Sequence, residues 1–451
     1  MREPGGILLV ACYELGHQPL SLAWPAAFLE RAGYAPAVLD LSVEPLDVEK
    51  VRRAALVAIA VPMHTALRLG VHAARRVRAL NPQAHICAYG LYATLNADEL
   101  LAGCVDSVMA GEVEDELVAL ARRLEAGGTS GPRVTLGKLS FPVPARTALP
   151  SLKKYAHVER DGQRELVAYV EASRGCKHLC RHCPIPPVYG GRFFVVPVET
   201  VLADVRQQIA AGAAHVTFGD PDFLNGPRHA LAVARALHAE FPRVTFDFTA
   251  KVEHLLAQRA HLAELAQRGC AFVVTAAESL DDAVLRRLAK GHSYADVVEA
   301  LRVTRQAGIA LRPTWVAFTP WTTLEGYRAW LDFIATEGLI DHVDPVQYGI
   351  RLLVPPGSLL LQEPAMTPHL GGLVPGGFHH RWTHPDPRVD RLAETVAAAV
   401  AKAAEHDEDA SVTFDRVRTL AATAAGLAAP PPVGLSPHRA RPPRLTEPWF
   451  C

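Results

Sequence analysis

No apolar run in the sequence approaches the ~20 residues that a membrane-crossing helix needs. Stretches such as Ile7 to Ala11 and Ala54 to Pro62 are far shorter, so no membrane span is expected. Charge of one sign is also missing: 46 Lys+Arg stand against 47 Asp+Glu, a formal charge of −1. A balance so close to zero provides no global field for nucleic acid or an anionic membrane, and neither is expected as a partner. Cysteine is sparse, with eight in 451 residues, which cannot build a disulfide framework. The opening Met1-Arg2-Glu3-Pro4-Gly5-Gly6 leads straight into a strand-like run and shows no secretory signal pattern, so a cytoplasmic location is expected.

What is present suits a folded enzyme. Hydrophobic residues make up 49% and charged residues 21%, which excludes a disordered chain. At roughly 100 to 200 residues per domain the length predicts two or three domains. From Ile7 to about Glu125 short apolar runs alternate with amphipathic stretches, the rhythm of parallel strands joined by helices. Strands are expected at Ile7 to Cys12, Ala37 to Leu41, Leu56 to Val61, His85 to Tyr89 and Ser107 to Ala110. Such a doubly wound sheet binds ligands beyond its carboxyl ends, which singles out the loops 13–20, 63–69, 90–96 and 111–114. The segment 127–165, broken by Gly127-Gly128 and punctuated by Pro142, Pro144 and Pro150, reads as a linker after a first domain over 1–126.

A second alternating series fills 166–360, with strands expected at Ala168 to Ser173, His215 to Gly219, Thr245 to Thr249, Ala271 to Ala276, Ala310 to Ala317 and Val346 to Leu353. Six strand-helix units in series suggest a parallel, partly closed barrel with its chemistry at the carboxyl ends of the strands. A helical extension is expected over 361–428 and a proline-rich tail over 429–451. The fold class is therefore α/β, a doubly wound domain ahead of a partial (β/α)6 barrel.

Three of the eight cysteines fall within eight positions. Cys176, Cys180 and Cys183 form Cys-x3-Cys-x2-Cys directly after the first strand of the second series. Three thiolates on one loop can hold three irons of a [4Fe-4S] cluster and leave the fourth open. A structural zinc site is the alternative, with His178 or His182 closing it as the fourth ligand. Cys12, Cys87 and Cys270, on or beside apolar runs, read as small core residues.

At this spacing the chain resembles the radical S-adenosylmethionine (SAM) enzymes, with His182 in the place where that superfamily has an aromatic residue. The resemblance implies that the open iron chelates SAM. It extends to Phe218-Gly219-Asp220-Pro221, where the family has a Gly-rich motif contacting the SAM amino group, although its common Gly-Gly-Glu form is not kept. Glu278-Ser279, leading into Lys290-Gly291-His292, looks like the family segment whose Glu binds the SAM ribose. Lys251 and Arg312 are candidates to pair with the SAM carboxylate, or else ordinary solvated or barrel-lining cations. Pro355-Pro356-Gly357-Ser358 resembles the family's loop near adenine.

A doubly wound domain before such a barrel resembles the cobalamin-binding-domain subgroup, with Gly111-Glu112-Val113-Glu114 as its last turn. The loop Tyr13-Glu14-Leu15-Gly16-His17-Gln18-Pro19 departs from the Asp-x-His-x-x-Gly that supplies an axial histidine. Either cobalamin binds without a histidine ligand or the domain no longer binds it. Thr446-Glu447-Pro448-Trp449-Phe450-Cys451 resembles the start of the tail of CUAEP/CCAEP-tail radical SAM proteins. That resemblance implies a Cys or a selenocysteine after Cys451; selenocysteine is the case expected, which would make the chain a selenoprotein with Cys451 in a catalytic soft pair.

The function expected is transfer of a SAM-derived alkyl group to a small molecule, with methyl transfer through cobalamin ranked first. Aminocarboxypropyl transfer to trivalent arsenic or another soft acceptor is the alternative, and a zinc-binding sensor the non-enzymatic one. An electron donor such as flavodoxin or ferredoxin is implied.

Overall fold

The computed structural model describes residues 1–129, 131–436 and 438–447. Its first half is a six-stranded parallel sheet of order β2-β1-β3-β4-β5-β6, built from β1 (Ile7–Ala11), β2 (Ala37–Asp40), β3 (Leu56–Ala60), β4 (His85–Tyr89), β5 (Ser107–Gly111) and β6 (Val134–Thr135). Helix α1 (Leu20–Arg31) and helix α2 (His64–Leu80) cover it, as does helix α3 (Glu114–Glu125). Side chains alternate between the faces of β1: Ile7, Leu9 and Ala11 join one apolar cluster, and Leu8 and Val10 the other. Both faces are thus buried, which is why the central strands read as unbroken apolar runs. Strand β6 falls in the segment expected to be a linker. Two residues carry no periodicity, so the sequence hides it.

The second half is a seven-stranded sheet of order β14-β13-β12-β11-β8-β7-β17. Strands β8 (Gln163–Val170), β11 (His215–Phe218), β12 (Thr245–Thr249), β13 (Cys270–Glu278) and β14 (Ala310–Trp315) run parallel. A short antiparallel pair, β9 (Ser173–Gly175) with β10 (Phe193–Val195), carries the chain out of β8. The segment Val346 to Leu353, expected as a sixth full strand, instead begins with a 3-10 turn over Pro345–Gly349 and touches the barrel through one parallel bridge, Phe318 with Arg351. Pro345 and Gly349 bend the backbone there, so only residues 350–352 stay extended enough to pair.

Strands β7 (His157–Arg160) and β17 (Arg444–Leu445) add an edge that the sequence did not suggest. Because β7 runs antiparallel to β8 and β17 antiparallel to β7, the C-terminal strand rises in the same direction as the barrel strands. A small hairpin, β15 (Leu370–Leu373) with β16 (His380–Trp382), precedes helix α4 (Pro387–Glu405) and helix α5 (Ala410–Ala424). The largest apolar cluster is continuous from α1 through Leu139, Leu149 and Leu152 of the connecting segment into the barrel. No helix among the described residues is long and apolar enough to cross a membrane.

Candidate functional site

The cysteine loop starts where β9 ends. Gly175 has φ +71°, and a Cβ there would lie 2.4 Å from the Arg192 carbonyl oxygen, so the turn into Cys176 needs glycine. Cys180 is buried and Cys176 and Cys183 are half-buried, and all three thiols are free. Burial pushes the Cys183 thiol up to about 12, the neighbouring Cys180 and Cys176 adding to the rise. Burial likewise raises Cys176, with Asn225 and a backbone N–H opposing it. Three soft donors brought together in a site that disfavours free thiolates suit a metal cluster, which binds them only after displacing their protons. As for zinc, His178 has both ring nitrogens engaged, by Lys251 and His254, and cannot close a fourth position. His182 places Nε2 on Glu278 and leaves Nδ1 without a partner.

Glu278 ends β13 at φ +66°, in a bulge of the β13–β14 ladder. Its Oε1 lies 3.1 Å from His182 Nε2 and 3.2 Å from Lys290 Nζ. Burial alone would raise this carboxyl, yet the Lys290 ammonium and the His182 ring hold it down to about 2. Lys290 is itself buried, and the Glu278 carboxylate with the thiols of Cys180 and Cys183 keeps its ammonium charged. The sequence reading placed Lys290 in a family segment without assigning it a role. Its burial beside both carboxylate and thiols is what the structure adds.

Gly219 follows β11, and a Cβ there would sit 2.3 Å from the Tyr169 ring, so the residue must lack a side chain. Asp220 is fully buried, accepts from the Ala172 N–H at 2.9 Å and bonds the Ser173 hydroxyl. Burial pushes its carboxyl up to about 7, and those two hydrogen bonds only partly offset the rise. In this geometry Asp220 braces the backbone leading into the cysteine loop. Ser279 Oγ accepts from the Asp281 N–H at 3.0 Å, closing a turn. Lys251 lies beside the cysteine loop, 2.9 Å from His178 Nδ1 and 3.2 Å from Glu253. Ser358 donates to the Arg181 carbonyl at 3.3 Å, which puts the Pro355-to-Ser358 loop against the same cysteine loop.

Arg312 requires a correction. It pairs in register with Val274, four residues before Glu278, which puts it about 13 Å below the level of the cysteine loop at ~3.3 Å per strand residue. There it pairs with Asp344 at 2.8 Å and donates to the Asp341 and Pro443 carbonyls. It lies on β14, an edge strand of the sheet, and its partners are structural. Cys451 lies outside the described residues.

The carboxyl edge of the first sheet faces this site. Arg174, on β9, reaches Glu114 at 2.6 Å and Glu112 at 3.5 Å, and the Tyr189 hydroxyl donates to Glu112 at 3.0 Å. The segment after β4 stands against the chain that follows the cysteine loop, with Leu91 packed on Val188 and Tyr189. Gly90 opens that segment at φ +116°, where a Cβ would meet the Val61 carbonyl at 2.9 Å. His17 cannot be a free axial ligand: it is buried, 2.7 Å from Glu447, and stacked on Tyr169 at 4.5 Å.

Residues 170–318 match the Radical SAM superfamily, and residues 6–121 match the B12 binding domain. The chain carries a radical SAM domain behind a B12-binding domain. Its curated relatives include the hopanoid C-3 methylase of Methylococcus capsulatus, 25% identical over 335 residues, covering 69% of this chain and 64% of that protein. The radical SAM chain thus spans less than two thirds of that relative. Among solved structures, the cobalamin-dependent SAM radical enzyme OxsB, with aqua-cobalamin and SAM bound, superposes at TM-score 0.68 and 13% identity over 86% of this chain and 65% of that one. The radical SAM methyltransferase TsrM from Kitasatospora setae superposes at TM-score 0.60 and 18% identity over 89% of this chain and 90% of that one. The structural likenesses show the fold, and the two family models show the radical SAM and B12-binding domains, which a helical C-terminal part follows. The two domains imply a [4Fe-4S] cluster, SAM and cobalamin as cofactors.

Proposed function

We propose that this protein is a methyltransferase that moves a methyl group from SAM to a small molecule, with cobalamin as carrier. The observation that carries the reading is the convergence of two edges. The strand ends of the B12-binding sheet meet the segments that flank the cysteine loop through Tyr189–Glu112, Arg174–Glu114 and Leu91 packed on Val188. When bound, the cluster would supply one-electron reducing chemistry and cobalamin would carry the methyl group.

The chain's own residues supply placement. Cys176, Cys180 and Cys183 hold the cluster. Glu278, kept anionic by Lys290, accepts from the ribose hydroxyls, and Gly219 with Asp220 shapes the wall behind the SAM amino group. Ser279 holds the turn after Glu278, and Lys251 offers its ammonium beside the cysteine loop. An electron donor such as flavodoxin or ferredoxin supplies the reducing equivalents, and the reading places the enzyme in the cytoplasm, where thiols stay reduced.

A small-molecule substrate is favoured over RNA or protein because the chain closes its own barrel. Leu445 of β17 packs with Val158, Val167 and Phe272, and Arg312 of β14 donates to the Pro443 carbonyl, joining the two edges of the sheet. Substrate then enters from the B12 side. Aminocarboxypropyl transfer to an arsenical is not favoured, since it gives the first domain no role, and a zinc sensor is not favoured because it gives neither the radical SAM domain nor the B12-binding domain a role.

The test is the fate of SAM after anaerobic cluster reconstitution with a reductant, with and without cobalamin, read by mass spectrometry. S-adenosylhomocysteine formed only with cobalamin is the expected result. Methylthioadenosine, formed with arsenite and without need of cobalamin, would overturn the reading.

A further inference from the structure

The cysteine loop carries a side chain that the cluster does not use. His178 stands between Cys176 and Cys180, and its imidazole lies in a chain of four groups from three successive barrel loops. Lys251 Nζ is 2.9 Å from His178 Nδ1, His178 Nε2 is 3.1 Å from His254 Nε2, and His254 Nδ1 is 2.7 Å from Asp222 Oδ2. Asp222 follows β11. Lys251 follows β12 and precedes the short helix Val252–Ala257, which carries His254. Asp222 and Lys251 are buried, and the two histidines are each 18% exposed.

The chemistry of the groups gives this chain one direction. An ammonium only donates, so His178 Nδ1 accepts and its proton sits on Nε2. That N–H donates to His254 Nε2, which leaves the His254 proton on Nδ1; this nitrogen lies 2.7 Å from Asp222 Oδ2 as an ion-pair contact and makes no aligned hydrogen bond. A cation at one end and an anion at the other favour this one arrangement of protons. Asp222 is in turn fixed by the Leu224 N–H at 3.0 Å and the Lys251 N–H at 3.3 Å. The three His and Asp side chains also have the composition of a metal site, with ligand atoms within 4.8 Å of one another. The Lys251 ammonium beside His178 opposes a cation there, and both His178 nitrogens already face partners.

We propose that His178, His254 and Asp222, together with Lys251, are positioning residues for the cluster. They clamp the cysteine loop to the ends of β11 and β12 and hold the Lys251 ammonium beside it, only partly countered by the half-exposed Glu253 at 3.2 Å, and that ammonium makes the cluster easier to reduce. Hydrogen bonding and local charge are the levers by which a protein sets such a potential. The proposal rests on the cluster assignment above, and the experiment separates the two.

The full-length chain, reconstituted anaerobically, is analysed for iron, sulfide and other metals, and its cluster midpoint potential is measured by EPR-monitored redox titration. His254→Ala and Lys251→Met are expected to keep iron and sulfide while moving the midpoint to more negative values. His254→Gln, whose amide oxygen can still accept from His178, is expected to restore it towards wild type. Loss of iron from His254→Ala that His254→Gln repairs would support the clamp as well. An unchanged midpoint in fully loaded His254→Ala and Lys251→Met overturns this inference alone. One further zinc or cobalt per chain, lost in both His254→Ala and Asp222→Asn, overturns it in favour of a metal site. Wild-type protein that takes up no iron or sulfide overturns both the inference and the cluster.

Discussion

At the scale of single residues, the site depends on charges that burial would forbid if they stood alone. Glu278 and Lys290 are the clearest pair. Replacing Glu278 with Gln leaves the Lys290 ammonium buried without its carboxylate, at an expected cost of about 3–5 kcal/mol, to be read from denaturant unfolding. The depressed Glu278 carboxyl also sets an acid limit. Its contribution is complete above its ordinary value of 4.5 and is lost as pH falls towards about 2. Asp220 has the opposite sign. Its folded value is raised from 3.8 to about 7, so stability falls as pH rises through that window, by at most about 1.4 kcal/mol per pH unit for one group. Asp220→Asn is expected to flatten this slope, and thermal melts at pH 5 and pH 8 would show a smaller difference than in wild type. For the cluster ligands, alanine at Cys176, Cys180 or Cys183 is expected to lower bound iron from about four per chain towards zero, as measured by metal analysis and the visible spectrum.

At the scale of elements, the C-terminal strand is the piece least expected from the sequence. Proline-rich segments usually run extended over a surface, but here arginines secure the approach to the barrel. Arg439 pairs with Asp341 at 2.5 Å and with Asp409 at 3.0 Å. Arg444 reaches Glu159 at 2.8 Å. The Thr446 N–H donates to the His157 carbonyl at 2.8 Å, and its hydroxyl accepts from the His157 N–H at 2.8 Å. Arg439→Ala is expected to loosen this strand without unfolding the barrel. Hydrogen exchange at Thr446 should then quicken, with exchange in β12 and β13 unchanged. Exchange quickening equally throughout would show instead that the tail is a general stabiliser.

At the scale of the whole molecule, Arg174 is among the side chains that join the halves. Arg174 lies over Trp24 and Phe141 while binding Glu112, Glu114 and Glu171, so apolar and ionic contacts between the two domains meet at one side chain. Burial pushes the Glu112 carboxyl up to about 7, with Arg174 pulling against it. Arg174→Met removes that counter-charge and leaves two buried carboxylates facing each other. Separate unfolding transitions for the two domains are expected in place of a shared one, with cobalamin affinity reduced, both measurable by calorimetry and equilibrium binding.

The sequence by itself determined the layered α/β order, the first five strands, the two C-terminal helices and the position of the cysteine loop. Those features are local. Apolar runs, proline stops and cysteine spacing act within a few residues of one another, so their pattern is visible along the chain. Tertiary structure alone decided what Arg312, His17, Lys290 and His254 do, because their partners lie 32, 430, 12 and 76 positions away. It also decided β6 and β17, strands of two residues whose stability comes from an edge already formed, not from any pattern of their own. An arginine on a barrel strand looks the same in sequence whether it faces a ligand or a neighbouring carboxylate, and only the fold brings Asp344 to its side.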